Sequence, residues 1–146
     1  MSALQVVALV VLGVSSFPLI WSFVCIVISR FGGWHKLASA YRTSLPFGGT
    51  LRRFQTARMR GGARYKGCLN VGASPSGLFL STYFPFRPGH PPLLVPWQDV
   101  TVHGHADVAY ELRFRAAPGI PLQLSPQLVA VLKADAGRDW PTNPGA

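Results

Sequence analysis

Three histidines have the side-chain type and spacing for metal chemistry in this chain of 146 residues. His103 and His105 are one residue apart, so an extended strand sends both imidazoles to the same face, and His90 in a proline-rich loop would supply a third ligand. The neighbouring residues argue against a metal. Val100 and Val102 hold the opposite parity and claim the buried face, which turns His103 and His105 towards solvent beside Asp99 or Asp107. The sequence therefore assigns no metal and no other cofactor, and keeps His90, His103 and His105 only for the alternative reading of a membrane-bound enzyme. Cys68 lies in a strand pattern without a nearby histidine, no G-x-S-x-G elbow exists, and the five acidic residues form no paired motif. No catalytic residue is assigned.

The elements that would position these groups are mostly short strands. "GCLNVGASPSGLFLSTYF" predicts two strands with Leu69, Val71, Leu78 and Leu80 inward and a turn at Ser74-Pro75-Ser76-Gly77. Further strands are expected at Leu93 to Val95 and Val100 to Val102. In "YELRFRAAPGIPLQLS", Tyr110, Leu112 and Phe114 alternate with charged residues. Pro118-Gly119 fits the centre of a type II turn, and Ile120, Leu122 and Leu124 return. A helix then starts with Ser125 as cap and Pro126 at the first position, buries Leu128, Val129 and Leu132, and stops at Gly137.

Charge is distributed unevenly. No side chain from Met1 to Ser29 is charged, nine basic and no acidic ones lie between Arg30 and Lys66, and five of each follow. The uncharged stretch exceeds the roughly 20 residues needed to cross a bilayer as a helix, and predicts a transmembrane anchor. Reading it as a cleaved signal peptide fails, because a basic leading region is absent and Arg30 and Lys36 precede the candidate site at Ala38-Ser39-Ala40. The basic flank predicts the N-terminus outside and the rest in the cytoplasm. A disulfide between Cys25 and Cys68 would have to join the anchor to the soluble part, and is not expected.

Within the basic segment, "WHKLASAYR" predicts a short helix with Trp34, Leu37, Ala38 and Tyr41 on one face and His35, Lys36, Ser39 and Arg42 on the other, suited to the headgroup region. Its spacing mimics half of a tetratricopeptide repeat, but no second copy follows. Arg52, Arg58 and Arg60 share strand parity and would point to one face. The expected membrane-surface set is Arg30, Trp34, Lys36, Tyr41, Arg42, Arg52, Arg53, Arg58, Arg60, Arg64 and Lys66, facing anionic headgroups, with no nucleic acid as partner. The stiff "PFRPGHPPLLVPW" offers Pro91, Pro92 and Trp97 as contacts for an unidentified protein partner.

The basic first strand, "GLFLS" leading to "PPLLVPWQDV", the alternating hairpin and the terminal helix together resemble the pleckstrin-homology or GRAM-like superfold. More narrowly, they resemble a group of short single-pass bacterial membrane proteins. The resemblance covers Thr50 to Ala136, with Gly77, Pro91, Pro92, Pro96, Trp97 and Asp99 as its most distinctive residues. It implies a mainly β fold with a C-terminal helix, a small sheet or partial barrel preceded by one transmembrane helix. It also implies that Arg58, Arg60, Arg64 and Lys66 attract phosphates, for which general attraction to anionic headgroups is the preferred explanation over a specific pocket. The strands counted from the pattern fall short of the seven of a full domain of that kind. The expected organisation is an anchor over 1–29, a basic amphipathic helix and linker over 30–49, a small β domain over 50–136 and a loose tail over 137–146. The expected role is a membrane-anchored, cytosol-facing, non-enzymatic interaction or lipid-surface module.

Overall fold

The structure is a computed structural model that describes residues 1–60, 63–105 and 109–141, apart from the side chain of His105. Its first element is the helix α1, Ala3–Gly32, opened by a capping box in which the Ser2 hydroxyl accepts from Gln5 N–H and the Gln5 side chain accepts from Ser2 N–H. It closes at Gly33, where φ is 95° and an added Cβ would sit 2.5 Å from Ile120. Only glycine meets both conditions. The chain turns there into α2, Trp34–Tyr41.

Seven strands follow, β1 Thr50–Arg58, β2 Arg64–Ser74, β3 Gly77–Thr82, β4 Leu93–Val95, β5 Val100–His105, β6 Ala109–Phe114 and β7 Ala117–Leu124. They form one antiparallel sheet in the order β4-β3-β2-β1-β7-β6-β5. The strand count is therefore a full seven, more than the sequence pattern suggested. Among the described residues β1 pairs with β7 at Arg58 and Gln123, and β4 and β5 are the two edges of the sheet. The C-terminal helix α3, Pro126–Ala136, packs on β2 and β6, with the Ser125 hydroxyl accepting from Leu128 N–H.

The expected inward residues are in place, for Leu69, Val71, Leu78, Leu80, Leu112, Ile120 and Leu122 are all fully buried. The turn at Pro118-Gly119 is a correction. The loop between β6 and β7 is Arg115-Ala116, and Pro118 and Gly119 lie inside β7. The ladder jumps from Leu112 opposite Leu122 to Phe114 opposite Ala117, so both prolines of "APGIP" sit in a bulge where no ladder N–H is required.

Two further expectations are overturned by packing. α2 does not lie on a headgroup surface, because Trp34, Leu37 and Tyr41 belong to the core under β4 and β7. The Tyr41 hydroxyl donates to the Asp99 carboxylate at 3.1 Å and accepts Ala116 N–H at 2.9 Å. The end of the chain also holds a core residue. Trp140 is buried against Trp97, with ring centroids 5.4 Å apart, after a 3₁₀ turn over Gly137–Asp139.

β1 carries the other irregularity. Register shifts on either side of Gln55 change the strand's phase, and Phe54 adopts a left-handed φ of 58°. Arg52 stands opposite buried Val71, on the core side, whereas Arg58 alternates with buried Ala57 and faces outward. The arginines that share parity in the sequence therefore do not share a face. Arg52 instead clamps Asp135 of α3, with Nη2 3.0 Å from the carboxylate and Nε 3.2 Å from it.

Candidate functional site: a proline loop between helix and sheet

The segment from Tyr83 to Pro92 joins β3 to β4 and is rich in proline, which contributes carbonyl acceptors and no N–H donors. Donors must come from elsewhere, and α1 and α2 supply them. The Trp21 indole and the Cys25 thiol both donate to the Pro85 carbonyl, the Ser29 hydroxyl to the Gly89 carbonyl, and the Trp34 indole to the Pro91 carbonyl at 2.9 Å. Thr43 N–H reaches the Pro92 carbonyl at 3.0 Å. Trp21 also packs on Phe86, centroids 5.2 Å apart. Gly89, at φ 73°, lies so close to α1 that an added Cβ would be 3.0 Å from Ile26 Cα. The last third of the long helix is thus stitched to the sheet, with Cys25, Ser29 and Gly32 buried.

Arg60 closes the other end of the seam. Its guanidinium donates to the Arg30 and Phe31 carbonyls at 3.0 and 3.2 Å, satisfying acceptors that the end of a helix leaves open and placing positive charge at the negative end of the helix dipole.

His90 is the buried centre of this region. Its Nδ1 lies 2.9 Å from the Pro88 carbonyl, which can only accept, so Nδ1 carries the proton and Nε2 accepts the Tyr65 hydroxyl at 2.9 Å. Trp34 stands edge-on to the imidazole. Burial pushes the His90 pKa below its ordinary value, against the opposing effect of the Pro88 and Phe86 carbonyls, and burial pushes the Tyr65 phenol up. Both ring nitrogens of His90 are thus engaged within the fold. His103 is half-exposed on β5 and lines a different cleft with Tyr110, Lys133 and Trp140. The side chain of His105 and all of Asp107 lie outside the described residues. Among the described residues no three His, Cys, Asp or Glu side chains come together as a metal-ligand group. Cys25 and Cys68 are free thiols, and burial raises the Cys68 pKa, away from nucleophilic use.

On the outer face of the sheet the loop walls a groove of about 570 Å³. Phe47 and Phe79 stack at its side with centroids 4.8 Å apart, and Arg53 and Arg87 stand on its lining without an ion pair among the described residues. Asn70, Ser81 and Thr82 line it as well, and the atoms Asn70 Oδ1 and Thr82 Oγ1, buried beneath its surface, have no hydrogen-bond partner among the described residues. Such atoms are uncommon in a folded interior and call for an explanation. A second, apolar cleft of about 770 Å³ runs between α1 and the loop, lined by Phe17, Pro18, Trp21 and Pro88. Phe84 and Arg87 belong to both.

The residues expected at a membrane surface divide accordingly. Arg30, Lys36, Arg42, Arg53, Arg58, Arg64 and Lys66 are exposed, Arg60 caps α1, Arg52 is ion-paired, and Trp34 and Tyr41 are core. Of the expected partner contacts, Trp97 is buried with its indole donating to the Ser74 carbonyl at 2.6 Å, Pro91 is half-buried, and Pro92 alone is exposed. Sequence reasoning missed the exposed aromatic group of Phe54, Tyr83 and Phe84, together with Arg87, whose guanidinium carbon lies 5.7 Å over the Phe84 ring. "TYFPFRP" held a signal for it, since aromatics broken by prolines lack the alternation that buries rings in strands. Comparison with protein-family models, with curated proteins and with solved structures gave no match.

Proposed function

We propose that the chain is a single-pass membrane protein whose β domain is held against the cytosolic face of the bilayer as a non-enzymatic, PH-like interaction or lipid-surface module. The observation that carries this reading is the seam. α1 is long and apolar enough to cross a membrane, its residues from Ala3 to Ile20 are exposed apart from the half-buried Ser16, and its remaining part is built into the domain by the proline loop and Arg60. The exposed part displays Val, Leu and Phe side chains to its surroundings, which in water would be costly and in lipid is favourable.

The reading also locates the bilayer boundary. About 20 residues from Ala3 take the helix to the level of Ser22, beside Phe84 and Arg87, and Arg30 then lies about 12 Å further along the axis. The aromatic loop is the part of the domain nearest the membrane, and the basic collar stands behind it within reach of anionic headgroups. Its sheet order and C-terminal helix support a PH-like architecture. His90 and Cys68 are used in packing, which supports a binding role over the alternative enzyme reading.

The test is topology in cells. The full-length protein should resist carbonate extraction, and a reporter fused after Ala146 should be active only in the cytosol. Extraction into the soluble fraction, or reporter activity on the opposite side, overturns the reading.

A further inference from the structure

The groove between the sheet and the proline loop has the construction of a ligand site. Its polar half presents the Arg53 and Arg87 guanidiniums with no carboxylate on its lining, which selects an anion. Asn70 and Ser81, which share a face of the sheet with Phe79, add polar side chains to the same half. The stacked rings of Phe47 and Phe79 give the groove an apolar side, which favours a ligand with apolar parts. Its other half continues past Phe84 and Arg87 into the apolar cleft along α1, beside Phe17 and Trp21. A soluble anion would use only the first half. A molecule with a charged head and a hydrocarbon tail uses both.

We infer that this groove binds one anionic phospholipid from the bilayer, with its phosphate between Arg53 and Arg87, its glycerol region beside Asn70 and Ser81, and an acyl chain in the cleft between α1 and the loop. The inference rests on the membrane-anchored reading, because that reading brings the cleft to the bilayer boundary. It also assigns a use to the left-handed Phe54, which stands 5.5 Å from Tyr83 and follows Arg53 in the strand, where the bulge sets the direction of the arginine.

The test uses the full-length protein in phosphatidylcholine vesicles containing a small fraction of lipid with brominated acyl chains, read by quenching of tryptophan fluorescence. Trp21 lines the cleft, whereas Trp34, Trp97 and Trp140 are core residues, so Trp21→Phe should remove most of the quenching. Brominated phosphatidylglycerol should quench at a mole fraction on the order of tenfold lower than brominated phosphatidylcholine, as two basic contacts at a bilayer surface imply. The Arg53→Gln/Arg87→Gln pair should abolish that preference. The charge-matched Arg115→Gln/Arg138→Gln pair should keep it, and millimolar inorganic phosphate should not displace the lipid. Equal quenching by the two lipids, equal loss in both double variants, or displacement by inorganic phosphate overturns the inference. A protein that leaves the vesicles fails the anchoring reading itself, whereas one that stays and shows no preference fails only this inference.

Discussion

Two segments of this chain set aromatic rings beside basic side chains, and they end in opposite surroundings. In α2, Trp34 and Tyr41 turn inward, donate their polar hydrogens to Pro91 and Asp99, and leave Lys36 and Arg42 outside. In the proline loop and the bulge of β1, Tyr83, Phe84 and Phe54 turn outward beside Arg87 and Arg53. The difference comes from what each backbone can satisfy by itself. An α-helix completes its own hydrogen bonds and is free to give a whole apolar face to the core. A proline loop spends its carbonyls on outside donors, so its backbone is fixed against α1 and its rings take the side that remains. Amphipathic pattern establishes that a face is apolar, and does not establish what covers it.

The sharpest way to break that comparison is to truncate one ring from each segment. Trp34→Ala removes a fully buried indole and its hydrogen bond, and should lower the unfolding free energy by about 3–5 kcal/mol in denaturant titration. Phe84, at 72% exposure, should cost less than about 0.5 kcal/mol as Phe84→Ala, while weakening contact with lipid. If the two variants are equally destabilised, the assignment of one ring to the core and the other to the surface is wrong.

Gly89→Val tests the seam directly. A β-branched side chain at φ 73° and 3.0 Å from the α1 backbone should cost about 1–3 kcal/mol and expose the loop near Arg87 to trypsin in limited proteolysis. An unchanged digestion pattern would mean that the loop does not depend on its approach to the helix.

His90 supplies a pH dependence with a definite sign. Its folded pKa lies below its unfolded one, so the stability it contributes is present above pH 6.5 and is lost as pH falls through the folded value. The melting temperature should fall on acidification from neutral pH. His90→Gln, less stable at neutral pH, should show a shallower fall. A small effect is also expected at Arg52 and Asp135. That pair is partly solvent-screened, and a double-mutant cycle should give a coupling of about 0.5 kcal/mol.

Much of the fold is legible in the sequence because period and punctuation act locally. The alternation of Leu112 and Phe114, the turn at Pro75-Ser76, the cap at Ser125 and the stop at Gly137 each depend on a few neighbouring residues. What escapes is set by partners distant in sequence. The turn shifted from Pro118-Gly119 because the bulge in β7 absorbs the prolines. The bulges around Gln55 reverse the parity on which the arginine face depended. The groove escapes for the same reason, since Arg53, Asn70 and Ser81 come from three different strands and Arg87 from the loop that follows them.

That docking is the central claim, and a cross-link tests it most directly. A benzophenone amino acid in place of Phe86, which packs on Trp21, is photoactivated in the membrane-embedded full-length protein. The chain is then cut at a protease site introduced between residues 43 and 49. The fragment bearing α1 and α2 should remain covalently joined to the fragment bearing the sheet. Separation of the two fragments, with the benzophenone carried on lipid, would contradict the account.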